Sequence, residues 1–197
     1  IYTMGGAFWE FGQPDWDHTK LFMLFGVAED HDSNPIKMGI GKIKERGARV
    51  IGVNPIRTGY NAVADEWVGI TPGTDGRFIL SLIYCLIEAG KIDLTYLARF
   101  TNAPVLLDPE TGLILRDDNG KPLIVDRTSG DVVAFDHQGA EPDLRGSHNG
   151  ATSVFTKMIE HFLTPENAPE AVADLCGISA KRIRALAAEL AHVAFDQ

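Results

Sequence analysis

At 197 residues, 45% of them hydrophobic, the chain is long enough to bury one substantial core, alone or with an appendage. Its 27 acidic against 18 basic residues give a net charge of −9, which argues against a nucleic-acid or anionic-membrane surface and leaves room for a local basic pocket. No apolar run approaches the length of a membrane span and no signal-peptide pattern is visible; the chain opens on Ile1 and reads as an excised piece.

Residues 1–20, rich in Gly and aromatics with Trp9, Phe11 and Trp16 clustered, read as an irregular lead-in that packs against something else. Leu21–Phe25 is a continuous apolar run, expected to be a central strand of a parallel sheet, and it ends at Gly26. Ser33 is the expected N-cap of a helix reaching Arg46, with Pro35 in the first turn where a missing N–H costs nothing. Ile36, Ile40 and Ile43 share one face of it. Gly39 and Gly41 weaken the helix and are expected to permit close packing on the sheet, and Gly47 stops it. Val50–Val53 is a second buried strand that breaks at Asn54-Pro55, which completes a right-handed βαβ unit.

The third strand lies between Asp65 and Asp75, with Trp67–Ile70 as its apolar stretch and Pro72-Gly73-Thr74-Asp75 at its end. The helix from Gly76 to Ala89 is apolar nearly all round and is expected to be buried. Gly90 ends it, and Asp93 caps a short helix to Phe100. Cys85 and Cys176, the only cysteines, read as small buried hydrophobes, and no iron–sulfur spacing exists here.

Residues 103–136 change character: four short β-rich runs are divided by turn sequences, among them Asn119-Gly120 and Ser129-Gly130. They read as a local antiparallel β-meander inserted in the α/β body, removable without loss of the main core. Residues 137–150 read as a loop. Residues 151–197 are C-terminal helices: one from Ala151 to Leu163, one from Thr164-Pro165 to Gly177, and one from Ala180 to Ala194 capped by Ser179. The whole, 1–197, reads as a single α/β domain.

Open α/β sheets bind nucleotides just past the carboxyl ends of their strands. In the first loop, GVAEDHDS, a helix N-terminus suits a phosphate, so backbone contacts from Gly26 and Val27 are expected with Glu29, Asp30 and Asp32 turned away. Asp30-His31-Asp32 lacks a further ligand cluster, and no G-x-G-x-x-G is present. In the second loop the candidates are Asn54, Pro55, Arg57 and Thr58. Asn54 can reach a ribose or base edge; Arg57 is either the partner of a diphosphate or an ordinary surface arginine. In the third loop they are Gly73, Thr74 and Asp75. The Asp75 carboxylate can accept from the guanine N1–H and N2–H₂ edge, can cap the following helix, or both. No Ser-His-Asp arrangement, carboxylate pair or metal-ligand spacing stands out, so no catalytic or metal-binding residue is assigned. His18, His137, His148, His161 and His192 read as surface or structural.

The pattern AsnPro…Arg…Ala-x-Ala-Asp…Pro-Gly-Thr-Asp resembles the nucleotide-binding stretch of the dimethyl sulfoxide reductase superfamily, the molybdenum or tungsten enzymes that carry two pterin guanine dinucleotides. The likeness runs from about Leu21 to Phe100 and from Ala151 to Phe195. Against the superfamily's usual Trp-Gly-x-Asn, Gly26 matches while Phe25 and Ala28 depart, which leaves the contact there to the backbone. Asn54 stands where many members have Asp. From Phe8 to Pro35 the wording is most similar to the polysulfide and thiosulfate reductases and membrane-anchored sulfite dehydrogenases.

The resemblance implies a Rossmann-like three-layer sandwich with a mostly parallel sheet, carrying the meander and the C-terminal helices. It implies part of a catalytic subunit that holds the guanosine diphosphate end of one molybdopterin guanine dinucleotide. The full enzyme would perform two-electron redox on a small substrate, sulfur compounds included, with molybdenum or tungsten on the pterin and a 4Fe-4S cluster in the part absent here. The piece alone is expected to be inactive and to hold no cofactor tightly. Implied partners are the remainder of the catalytic polypeptide, a membrane anchor and an iron–sulfur electron-transfer subunit, with no nucleic acid. The implied location is one face of the bacterial inner membrane, the cytoplasmic one favoured. Two other readings stay open: a free-standing nucleotide-binding or receiver-like module, and a structural domain whose loops bind nothing.

Overall fold

A computed structural model describes residues 14–26, 34–57 and 59–196. They divide into two compact units, one drawn from Ile1–Leu82 with Pro169–Gln197 and the other from Ile83–Ala168.

Three parallel strands organise the first unit: β1 (Leu21–Phe25), β2 (Arg49–Val53) and β3 (Glu66–Val68), in that spatial order. β2, not β1, is the central strand among the described residues, and its Val50, Ile51 and Val53 are fully buried while only Leu24 of β1 is. An apolar run marks a strand as half or wholly covered, but its rank in the sheet depends on which neighbours pair with it. β3 stops two residues short of Ile70, which is buried all the same.

Helix α1 (Asn34–Glu45) places Ile40 and Ile43 in one core cluster with Leu24, Val50 and Tyr60. The expected cap Ser33 lies outside the described residues. At Gly47 the chain leaves the helix, its N–H still bonded to Lys44 O at 2.9 Å. Gly39 allows close packing, but against Trp16 and not the sheet: a Cβ there would overlap the indole. Gly41 faces open space. After β2 a 3-10 turn, Gly59–Ala62, buries Tyr60 and Asn61.

Helix α2 (Asp75–Glu88) buries Phe78, Ser81, Leu82 and Cys85 along one stripe and leaves Ile79 exposed, so it is amphipathic despite its composition. The division between the units falls within it. Helices α5 (Pro169–Cys176) and α6 (Ala180–Phe195) complete the first unit. Ser179 caps α6 by accepting from Arg182 N, as its sequence predicts. Ion pairs tie α6 to the sheet: Arg182 to Glu66 of β3, and Glu189 to Arg49 of β2 at 3.0 Å.

The second unit holds α3 (Leu94–Phe100), β4 (Leu106–Leu107), β5 (Leu123–Val125), β6 (Val132–Ala134), β7 (Ser147–His148), β8 (Ala151–Ser153) and α4 (Val154–Phe162). β5 and β6 form the hairpin that Ser129-Gly130 signals. The run from Leu113 to Asp117 contributes only isolated bridges, Leu107 to Ile114 and Arg116 to Pro122. β4 pairs with β8, and β8 with β7, so the pairing of 103–136 reaches beyond that segment. Two expectations change here: 137–150 contains a strand, and Ala151–Ser153 is strand where helix is expected. Ser153 ends the strand and caps α4, its hydroxyl accepting from Thr156 N at 3.1 Å. The architecture is mixed α/β, with six α-helices among the described residues and small sheets, one of them parallel.

Candidate functional site

The candidate loops leave one edge of the parallel sheet. Phe25, Val53 and Val68 are in register at the carboxyl ends of the three strands. The ladder continues one step further, Gly26 N donating to Val53 O and Asn54 N to Val68 O, both at 3.1 Å. Gly26 and Asn54 are thereby neighbours across the sheet end. Gly26 turns the chain at φ +66°, where a side chain would be strained.

Asn54 is 4% exposed, yet its Nδ2 has no hydrogen-bond partner among the described residues. Its own carbonyl is held by Trp67 Nε1 at 2.9 Å. A buried amide donor left unpaired costs about 1–3 kcal/mol, so its presence asks for an acceptor. Pro55 and Arg57 are exposed, and the Arg57 guanidinium is unpaired among the described residues. Val27 and Thr58 lie outside the described residues.

In the third loop Gly73 adopts φ +81° and lets Thr74 fold back, its hydroxyl donating to Thr71 O at 2.7 Å. The Thr74 carbonyl accepts the first helical bond, from Phe78 N at 3.1 Å. Thr74 therefore occupies the N-cap position and Asp75 is the first residue inside α2. The Asp75 carboxylate, half-buried, has no hydrogen-bond partner among the described residues, so its acceptor sites are unspent. Phe78, one turn on, sets its ring 6.1 Å from that of Phe25, which brings the start of α2 to the same end of the sheet as Gly26.

This end of the sheet combines buried and exposed donors (Asn54 Nδ2, Arg57, the first-turn N–H groups of α2) with the Asp75 carboxylate, unpartnered among the described residues. Such a set can bind a polar, partly anionic ligand and orient it. Among the described residues no group of three His, Cys, Asp or Glu side chains is arranged to hold a metal ion.

No family model matches the chain. Over its full length it is 41% identical to one component of the sulfite dehydrogenase of Allochromatium vinosum, of which it spans 22%. Over 90% of its length it is 26% identical to a putative dimethyl sulfoxide reductase catalytic subunit of Halobacterium salinarum, spanning 22% of it. It is 23% identical to the alpha subunit of perchlorate reductase from Dechloromonas aromatica, spanning 24%. The chain belongs to the molybdopterin oxidoreductases. The fold extends to acetylene hydratase from Pelobacter acetylenicus, which matches 87% of the chain, and 16% of its own, at a TM-score of 0.51 and 16% identity. The chain thus spans about a quarter or less of the curated molybdopterin oxidoreductases it matches.

Three residues that position these loops escape a motif reading. Trp67 holds Asn54 through its indole N–H. Asn61 packs so closely on Gly52 that a Cβ there would overlap its Oδ1, and a glycine within a buried apolar strand is the signal that marks such a contact. Cys176 is buried and free as expected, but it also touches the third loop: its carbonyl accepts from Thr71 N at 2.9 Å and its Sγ lies 3.6 Å from Thr74 O.

Proposed function

We propose that this chain is the part of a molybdopterin oxidoreductase catalytic subunit that grips the guanosine diphosphate end of one molybdopterin guanine dinucleotide. The observation that carries the reading is the Asp75 carboxylate at the head of α2, without a protein partner among the described residues, at the end of the sheet where the buried Asn54 amide donor is likewise unpaired among them. Asp75 would accept from the guanine N1–H and N2–H₂, a donor pair that adenine cannot supply. Arg57 would meet the diphosphate, and backbone N–H groups following the turn at Gly26 would line the first loop. A carboxylate in the first helical turn opposes a phosphate at that same place, which favours the base edge there and the diphosphate nearer Arg57. Gly73, Thr74 and Pro55 shape the loops; Val27 and Thr58 belong to the same proposal. The sheet with its flanking helices is read as a Rossmann-like three-layer sandwich.

In the full enzyme the pterin-held molybdenum or tungsten supplies two-electron redox chemistry. The substrate would be a small molecule of the sulfur-oxyanion type, in keeping with the sulfite dehydrogenase and sulfoxide reductase names among the relatives. A 4Fe-4S cluster, a membrane anchor and an electron-transfer subunit would complete the assembly on the cytoplasmic face of the inner membrane. This stretch alone would not turn over. A receiver-like module is disfavoured because β2 ends at buried Asn54 instead of a phosphorylatable Asp.

The test is Asp75→Asn in the full-length enzyme. The amide offers one acceptor and an NH₂ that meets the guanine donors badly, so cofactor released per mole of protein should fall about tenfold or more, with the melting temperature near wild type. Full loading in Asp75→Asn would remove the guanine assignment.

A further inference from the structure

The second unit carries a groove of about 740 Å³. Its apolar wall comes from α3 and α4, with Leu94, Ala98, Phe155, Ile159 and Leu163. Arginines stand on its rim. Arg127 is satisfied by Glu141 at 2.6 Å. Arg145 lies over the Phe155 ring, 5.6 Å from its centre, and neither Arg145 nor Arg99 meets a carboxylate among the described residues. Asp143 also lines the groove, its carboxylate accepting from Arg145 N at 2.9 Å, so the positive charge there is confined to the Arg99 and Arg145 guanidiniums beside the apolar wall.

Helix α3 itself lacks support. It is seven residues long and buries none of them. Leu94, 50% exposed, faces the groove, while Tyr96 and Phe100 lie outside its lining and meet each other with tilted rings, centres 5.3 Å apart. A helix this short is marginal in water without tertiary packing. The apolar wall of the groove, rimmed by polar groups, marks a contact surface.

We propose that the groove receives an amphipathic segment carrying Asp or Glu side chains, supplied by the same polypeptide from beyond these 197 residues. The chain covers only 22% of the sulfite dehydrogenase component to which it is 41% identical, so most of such a polypeptide lies outside it. Charge complementarity selects an acidic segment: apolar side chains spaced along one helical face fill the wall, and carboxylates meet Arg99 and Arg145. The ring of Phe155 holds the Arg145 guanidinium in place beforehand. A second copy of this surface is a poor occupant, because a two-fold contact would set guanidinium against guanidinium. This inference is independent of the nucleotide reading, and its test does not read cofactor.

The test places the photo-crosslinker p-benzoylphenylalanine at Leu94 in the full-length polypeptide and maps the products by mass spectrometry. The expected product is an intramolecular cross-link to a peptide outside residues 1–197 that contains Asp or Glu. Its yield should fall about tenfold in the Arg99→Glu/Arg145→Glu background, the weight of one charge-assisted hydrogen bond, and persist with Arg99→Lys/Arg145→Lys. A dimer-sized product, a cross-link to a separate polypeptide, or no protein product would overturn the proposal. So would a yield indifferent to charge reversal. The cross-link in the unaltered background decides the matter even where the charge-reversed variant does not fold.

Discussion

The carbonyl of Cys176 accepts a hydrogen bond from Thr71 N at 2.9 Å, and its Sγ approaches Thr74 O at 3.6 Å across 102 positions of sequence. The end of α5 therefore braces the Pro72–Asp75 loop from behind. Cys176→Ala should lose about 1–2 kcal/mol of stability, from lost packing and the weak S–H contact. Cys176→Ser keeps a donor and should lose less. Urea unfolding of both variants checks the ranking, and an unchanged Cys176→Ala would show that the brace carries no weight.

Gly52 and Asn61 form a second close contact. A Cβ at position 52 would overlap Asn61 Oδ1 within a strand whose neighbours are fully buried. Gly52→Ala should cost about 1–3 kcal/mol through overpacking. Adding Asn61→Ala should restore part of that loss, which a double-mutant cycle measures as coupling. Strict additivity of the two substitutions would contradict the contact.

Glu66 accepts from two arginines, Arg49 on β2 and Arg182 on α6, the latter through Nε at 2.6 Å as well as Nη2. Its side chain is only 25% exposed. Glu66→Gln leaves Arg182 without its counter-charge and Arg49 with Glu189 alone, and should destabilise the protein by about 1–3 kcal/mol. The exposed pair Arg184–Glu170 serves as the control, and its removal should change little. Equal effects at the two sites would mean that the network is no more than surface charge.

Asp65 yields a pH prediction. The hydrogen bond from Lys44 at 2.7 Å, aided by Val50 N at 2.8 Å, holds its carboxyl below the usual aspartate range against the opposing effect of burial. A depressed folded pKa stabilises the fold above the unfolded value of about 3.9, and that stability is lost as pH falls through the folded pKa. The stability gap between wild type and Asp65→Asn should thus be full at neutral pH and close below about pH 3.9. The contribution is modest because the group is partly exposed. Urea midpoints at several pH values test this; a gap independent of pH would assign the effect to something other than the carboxylate.

Residues 103–136 should not be removable from the second unit. Leu106 and Ile124 are fully buried, and β4 pairs with β8 outside the segment. Each such side chain contributes about 1.5–3 kcal/mol by burial. A Gly-Ser replacement should expose the remainder of that unit to protease between residues 137 and 168. Resistance there equal to wild type would falsify this account of the core.

The local signals were legible because they act within a few residues. Gly47 and Gly90 end helices where they stand, Asp93 and Ser179 accept from Tyr96 N and Arg182 N as caps, and Ser129-Gly130 turns a hairpin. The spaced pattern of Asn54-Pro55, Arg57, Ala62-x-Ala64-Asp65 and Pro72-Gly73-Thr74-Asp75 pointed to the family. Tertiary structure decided what depends on partners distant along the chain. It made β2 the central strand among the described residues, moved the cap from Asp75 to Thr74, and turned Ala151–Ser153 into a strand by pairing it with Leu106–Leu107. Helix α2 has an apolar sequence, but only packing chose which stripe is covered. Sequence places Asn54 at a strand end; that its amide is buried, and unpaired among the described residues, is set by the surrounding fold, since desolvation is a property of neighbours and not of the residue.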